Sequence, residues 1–223
     1  MKGLYLILDL STVFFPIVLS FDKRVSYINS WKNVFLASSI VAIPFLIWDI
    51  IFTANGFWGF NPDYLIGIEI LGLPIEEILF FWVVPFACIF IYECCKFYLH
   101  SITWKYFNWF VAVALLVYIL VVNFYSVDGW YTMTVEISTL ITLALWKWGR
   151  KRPLLGIAFV ISLIPFLAIN GILTGSFLAE PIVWYSESEF SGIRIFTIPM
   201  EDVLYSFTLI ASTILLKERL AKN

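Results

Sequence analysis

Charge is what this sequence has least of: Asp, Glu, Lys and Arg make up 13% of its 223 residues, against roughly 25% in a soluble domain. With 61% of residues hydrophobic, this excludes a water-soluble globular chain and describes an integral membrane protein. Histidine is nearly missing. His100 stands alone, in a loop between apolar runs, which excludes an intramembrane metalloprotease built on histidine ligands. The three cysteines, Cys88, Cys94 and Cys95, share one apolar run without metal-ligand spacing and read as packing residues; no metal site is expected. There is no Gly-x-Gly-x-x-Gly after a strand, so no dinucleotide cofactor is expected, and no basic tract for nucleic acid. No Asp-x-x-x-Asp exists to hold magnesium and diphosphate for prenyl transfer. The last apolar run carries no lysine between Val203 and Leu216, as a retinal-binding seven-helix protein would need.

What remains is apolar sequence in stretches near the ~20 residues that cross a bilayer. They begin at about residues 3, 33, 75, 107, 130, 154 and 199, giving seven expected spans. The first ends in Phe21-Asp22-Lys23-Arg24 without a small-residue cleavage site, and is expected to be retained. Alternating the spans puts Lys23, Arg24, Lys32, Lys96, Lys105, Lys147, Arg150, Lys151, Arg152, Lys217, Arg219 and Lys222 on one face. Lys2 and Arg194 are left on the other. Basic residues in short loops mark the cytoplasm, so the expected topology in the cell membrane has the amino terminus outside and the carboxyl terminus inside.

The acids that remain are patterned. Pro74-Ile75-Glu76-Glu77-Ile78-Leu79-Phe80-Phe81 is answered by Pro199-Met200-Glu201-Asp202-Val203-Leu204-Tyr205-Ser206. Ile43-Pro44-Phe45-Leu46 returns as Ile164-Pro165-Phe166-Leu167, Gly67-Ile68 as Gly192-Ile193, and Leu8-Asp9-Leu10-Ser11-Thr12 as Val135-Glu136-Ile137-Ser138-Thr139. The expected architecture is an all-α membrane protein of seven transmembrane helices. Residues 1–105 and 129–223 are three-helix repeats in parallel orientation, joined by a connecting helix over 106–128.

Both acid motifs then open their helices on the outer side. Asp9 and Glu136, about six residues into spans 1 and 5, lie on the order of 9 Å deep. Asp49 is near the outer end of span 2, with Asn170 as its counterpart in span 6. Glu76, Glu77, Glu201 and Asp202 share that layer, where an ionisable group is a functional-site hypothesis by default. Asp9, Glu136, Asp49 and Asn170 read as supporting polar groups. Neighbouring residues on a helix point about 100° apart, so one acid of each pair is expected to reach a substrate and the other a loop or helix. The pattern leaves open which. A proline at the first helical position and acids in the first turn also suit an ordinary helix start. With Arg194 the one nearby cation among up to seven acids, some carboxyls should keep protons near neutral pH, as a general acid must. Phe80, Phe81 and Tyr205 are the aromatics placed to face a substrate or a cation.

These residues resemble the heterodimer-type lycopene cyclases in their fused single-chain form. The likeness is carried by Phe60-Asn61-Pro62-Asp63-Tyr64, by Gly72-Leu73 leading into the Pro74 motif, and by Pro199-Met200-Glu201-Asp202. It spans the chain and differs from the flavin-containing cyclases, whose dinucleotide fold is missing. The resemblance implies an isomerase-type enzyme of carotenoid biosynthesis that closes the ψ-ends of lycopene, or a related acyclic carotene, to ionone rings, β being the expected product. It implies Glu76, Glu77, Glu201 and Asp202 as catalytic acids, and a carotenoid substrate drawn from the bilayer. Glu76→Gln and Glu201→Gln are expected to abolish ring formation. A carotenoid or lipid carrier, or a proton-coupled transporter, would use the same acids and stands as the alternative.

Overall fold

The structure, a computed structural model, describes residues 1–100, 105–124, 129–148 and 154–221. Arg150, Lys151, Arg152 and Lys222, placed above on the cytoplasmic face, lie outside the described residues. Among the described residues, seven α-helices follow the apolar runs: α1 (Leu4–Leu19), α2 (Trp31–Ala54), α3 (Ile75–Tyr98), α4 (Lys105–Phe124), α5 (Trp130–Trp148), α6 (Leu155–Leu173) and α7 (Glu201–Leu220). α2, α3, α4 and α6 are long and apolar enough to cross a bilayer. α1 is shorter, at 16 residues, while α5 and α7 carry Thr, Glu and Lys among their apolar residues. The outside of the bundle is greasy, with Phe14, Phe15, Ile43, Phe110, Leu120 and Ile164 all exposed, a surface that is unfavourable in water and suited to lipid.

The two motif helices sit at the centre. α3 packs on α1, α2, α6 and α7, and α7 packs on α2, α5 and α6. Each motif helix therefore touches the middle helix of the other repeat, which brings their amino-terminal ends together. Pro44 and Pro165 lie inside α2 and α6 at matching places, tolerated because neighbouring helices and local adjustment satisfy the freed backbone groups.

The long loops before α3 and α7 contain strands that periodicity did not announce. β1 (Trp58–Phe60), β2 (Glu69–Ile70) and β3 (Leu73–Pro74) belong to the first; β4 (Val183–Tyr185), β5 (Arg194–Ile195) and β6 (Ile198–Pro199) belong to the second. β2–β3 and β5–β6 are antiparallel hairpins in the same register. Gly67 and Gly192 have φ of +91° and +74°, a conformation that side chains disfavour, which explains why both positions are glycine.

These hairpins correct the reading of the prolines. Pro74 ends β3 and caps α3 from an extended conformation, and Pro199 ends β6, with Met200 between it and the first residue of α7. Neither is the first helical residue. The hairpin continues the chain in β geometry up to the proline, and the helix begins beyond it. At that junction the repeats share the same bond: Ile75 N–H donates to Ile68 O at 2.9 Å, and Met200 N–H to Ile193 O at 2.9 Å.

β1 and β4 pair with each other, across the repeats. Gly59 stands opposite Trp184, Trp58 opposite Tyr185 and Phe60 opposite Val183. Glu76 and Glu201 set the repeat offset, and by that offset Trp184 is the counterpart of Gly59, Tyr185 of Phe60 and Val183 of Trp58. Exchanging the repeats leaves the ladder unchanged, so a local two-fold axis passes through the Gly59–Trp184 pair. Equivalent positions face each other there, and one must be small for the other to be large. A Cβ on Gly59 would collide with the Trp184 ring.

Candidate active site

Beneath that ladder, side chains of both repeats surround a cavity with about 490 Å³ of atom-free space including its mouth. Its acids are Glu77 from α3 and Asp202 from α7. Its walls are mostly aromatic: Trp58, Phe60, Phe80, Phe166, Tyr185 and Tyr205, with Tyr5, Tyr131 and Asn170 supplying polar edges.

Each motif divides its two carboxyls between cavity and scaffold. Glu76, fully buried, turns back to the outer loop, where its Oε1 accepts from Ile66 N–H at 2.8 Å. Glu201, also fully buried, accepts from Ser191 N–H at 2.7 Å, the counterpart bond, and from the Thr132 hydroxyl at 2.7 Å. One residue on, rotated by a helical step, Glu77 and Asp202 point into the cavity. The Tyr5 hydroxyl donates to Glu77 Oε2 at 2.6 Å. Asp202 accepts from Tyr131 at 2.5 Å, from Asn170 Nδ2 at 2.7 Å and from Tyr185 at 3.0 Å. Tyr185 belongs to the outer ribbon; burial first, then the Asp202 charge, push its phenol above its ordinary value, so it remains a donor.

Of the supporting residues, Asn170 lines the cavity and Asp49 stands just behind it. Asp49 Oδ1 accepts from Trp58 Nε1 at 2.6 Å, and its carboxyl lies within hydrogen-bond reach of Glu77. Asp9 is buried and close enough to Glu76 for their charges to interact. Glu136 faces α4, where Asn123 Nδ2 donates to its Oε2 at 2.8 Å. Neither Asp9 nor Glu136 reaches the cavity wall. Arg194 does not neutralise the acids: it bonds Glu187 and the Thr197 carbonyl and lies over the Phe190 ring.

One placement needs correction. Phe81 does not face the cavity; it is fully buried in the core with Val41, Ala42, Phe45 and Leu209, because the helical step that turns Phe80 inward carries Phe81 toward α2. Phe80 and Tyr205 do line the cavity, beside Glu77 and Asp202, three residues back in each helix. The residues missed were Tyr5 and Tyr131. The repeat hides them, since aligning Asp9 with Glu136 sets Tyr5 against Thr132 and Tyr131 against Leu4. Two phenols doing one job from adjacent registers do not register as a repeat.

The arrangement places two carboxyls from opposite halves around an aromatic-lined, mostly apolar space. It can give and take protons and can stabilise a cation against ring faces. Comparison with known proteins matches a family model described as Lycopene cyclase over residues 2–95 and 128–220. No curated protein and no solved structure matches the chain.

Proposed function

Because the chain belongs to the lycopene cyclase family, we propose that it closes the acyclic ψ-ends of lycopene, or of a related carotene, to ionone rings, β-rings being the expected product. The reaction is an isomerisation. A proton added to the terminal double bond gives a tertiary cation, the next double bond attacks it, and loss of a proton leaves the ring. The scheme calls for a neutral acid, a base and a dry aromatic chamber, and for no redox cofactor or metal. Glu77 and Asp202 are the acids we place against the reacting end group, with Phe80 and Tyr205 as ring faces beside them. Glu76 and Glu201 act through the outer loops they tether.

The observation that carries this reading is that Glu77 and Asp202, from different repeats, share one aromatic-walled cavity. The polyene would enter from the bilayer. We extend the proposal to seven spans, with repeats 1–105 and 129–223 joined by 106–128, parallel in orientation, amino terminus outside and carboxyl terminus in the cytoplasm. The pairing of β1 with β4 supports the parallel arrangement, because it holds the two long loops on one side of the bundle. Expression in lycopene-accumulating cells followed by pigment analysis tests the function. Cyclised product is expected; lycopene left unchanged by abundant, folded protein would turn the assignment toward a carotenoid carrier or a transporter.

A further inference from the structure

The repeats are not chemically equivalent around their cavity acids. Both oxygens of Asp202 are occupied by neutral donors, Tyr131 on Oδ1 and Asn170 with Tyr185 on Oδ2. That environment holds a carboxylate. Glu77 has the Tyr5 hydroxyl on Oε2 and, within hydrogen-bond reach, the carboxyl of Asp49. Asp49 in turn has Trp58 and Thr53 on Oδ1, while no donor reaches its buried Oδ2 among the described residues. Two carboxylates in contact repel and leave each other's lone pairs unanswered; one proton between them removes both problems. At the counterpart of Asp49 the second repeat has Asn170, whose amide N–H gives Asp202 what a shared proton gives the Asp49–Glu77 pair.

We propose that Asp49 is a positioning residue that keeps one proton on the Asp49–Glu77 pair, making Glu77 the acid that protonates the alkene, while Asp202 faces the cation as a carboxylate and accepts the proton released on ring closure. The inference rests on the cyclase reading for its substrate. The Glu77 O–H bond breaks as a C–H bond forms at the terminal alkene; a ring C–H bond then breaks and its proton goes to Asp202. One proton leaves the pair and one reaches Asp202, so a proton returns across the cavity before the next turnover, and no oxidant or reductant enters. The titratable groups facing Glu77 are Tyr5 and Asp9 from α1, Asp49 from α2, Asp202 and Tyr205 from α7, and Tyr185 from β4. Asp49 stands apart among them as a second carboxyl in hydrogen-bond reach of Glu77.

Infrared spectra of the whole protein in lipid nanodiscs at neutral pH provide the test. The C=O stretch of a protonated carboxyl should be lost in Asp49→Asn and in Glu77→Gln, and kept in Asp202→Asn. A band indifferent to Asp49→Asn, or removed equally by Asp202→Asn, overturns the proposal. In membranes supplied with lycopene, ring formation should fall about tenfold or more in Asp49→Asn and return in Asp49→Glu. The rate should decline as pH rises through the titration of the pair. In Asp49→Asn the pH profile of the residual rate should differ from that of wild type, because Glu77 then lacks the carboxyl with which it shares the proton; an unmoved pH profile counts against the role. If wild type shows the band behaviour but makes no rings, the cyclase reading fails and the acid pair stands. Rings from wild type with a band insensitive to Asp49 defeat the pair and leave the cyclase reading.

Discussion

The carboxyls of each motif do different work although they are adjacent in sequence. Glu77 and Asp202 line the cavity, so Glu77→Gln and Asp202→Asn should each lower cyclisation by roughly 10²–10⁴, the usual worth of a placed acid or base. Glu76 and Glu201 hold the N–H groups of Ile66 and Ser191. Gln keeps an acceptor oxygen for that bond, so Glu76→Gln and Glu201→Gln should retain far more activity than the cavity-acid variants, which moves the expectation drawn from sequence alone. Glu76→Ala and Glu201→Ala should instead lower stability by about 1–3 kcal/mol, the cost of stranding a buried donor; thermal melts in detergent beside pigment yields per folded molecule separate the two effects. The sequence made the four acids visible because charge in an apolar run is rare. It could not assign them, since the choice within a pair depends on how α3 and α7 are rotated in the bundle. That rotation is fixed by contacts such as Phe81 against Phe45 and Leu209, which lie far apart in the chain.

The motif helices are also joined at their far ends. Lys217 of α7, 3% exposed, bonds Glu93 of α3 and Glu218, and Lys96 reaches Glu93 at 3.2 Å and Glu218 at 3.0 Å. From sequence these residues are a basic helix end beside lipid headgroups; folded, they form a clasp between repeats. Lys217→Met removes the buried cation that joins Glu93 and Glu218 and should destabilise by about 3 kcal/mol, as expected when one partner of a buried pair is removed. Pairing it with Glu93→Gln should recover part of that loss, read as the melting temperature of the purified variants; equal melting for wild type and Lys217→Met would show the clasp to be inert. At this scale the helices were legible, because twenty apolar residues have few other uses. The strands were not: two- and three-residue ribbons such as β2 or β1 are set by the opposing chain and by positive-φ positions, including Leu71 and Phe196 at +54° and +55°, residue types that carry no turn signal.

Duplication explains why one cavity serves two motifs. A two-fold axis through the Gly59–Trp184 pair puts equivalent groups at equal distance from it, so Glu77 and Asp202 converge while the lining can still diverge, as Asp49 and Asn170 have. The axis also constrains the ladder: Gly59→Val should force Trp184 aside and cost about 1–3 kcal/mol, the penalty for overpacking a close contact, with loss of cyclisation following because Trp58 and Tyr185 belong to the same ribbon and hold Asp49 and Asp202. The same symmetry makes a statement about the membrane. Leu71 and Phe196 occupy corresponding hairpin tips and are 78% and 93% exposed. In the topology proposed above both tips face outward, so Leu71→Cys and Phe196→Cys, each made in a chain whose Cys88, Cys94 and Cys95 are replaced, should react with a membrane-impermeant maleimide added to intact cells. Labelling of one tip without the other would place the loops on opposite sides. That result would contradict the ladder that joins them, because β1 and β4 cannot hydrogen-bond across a bilayer.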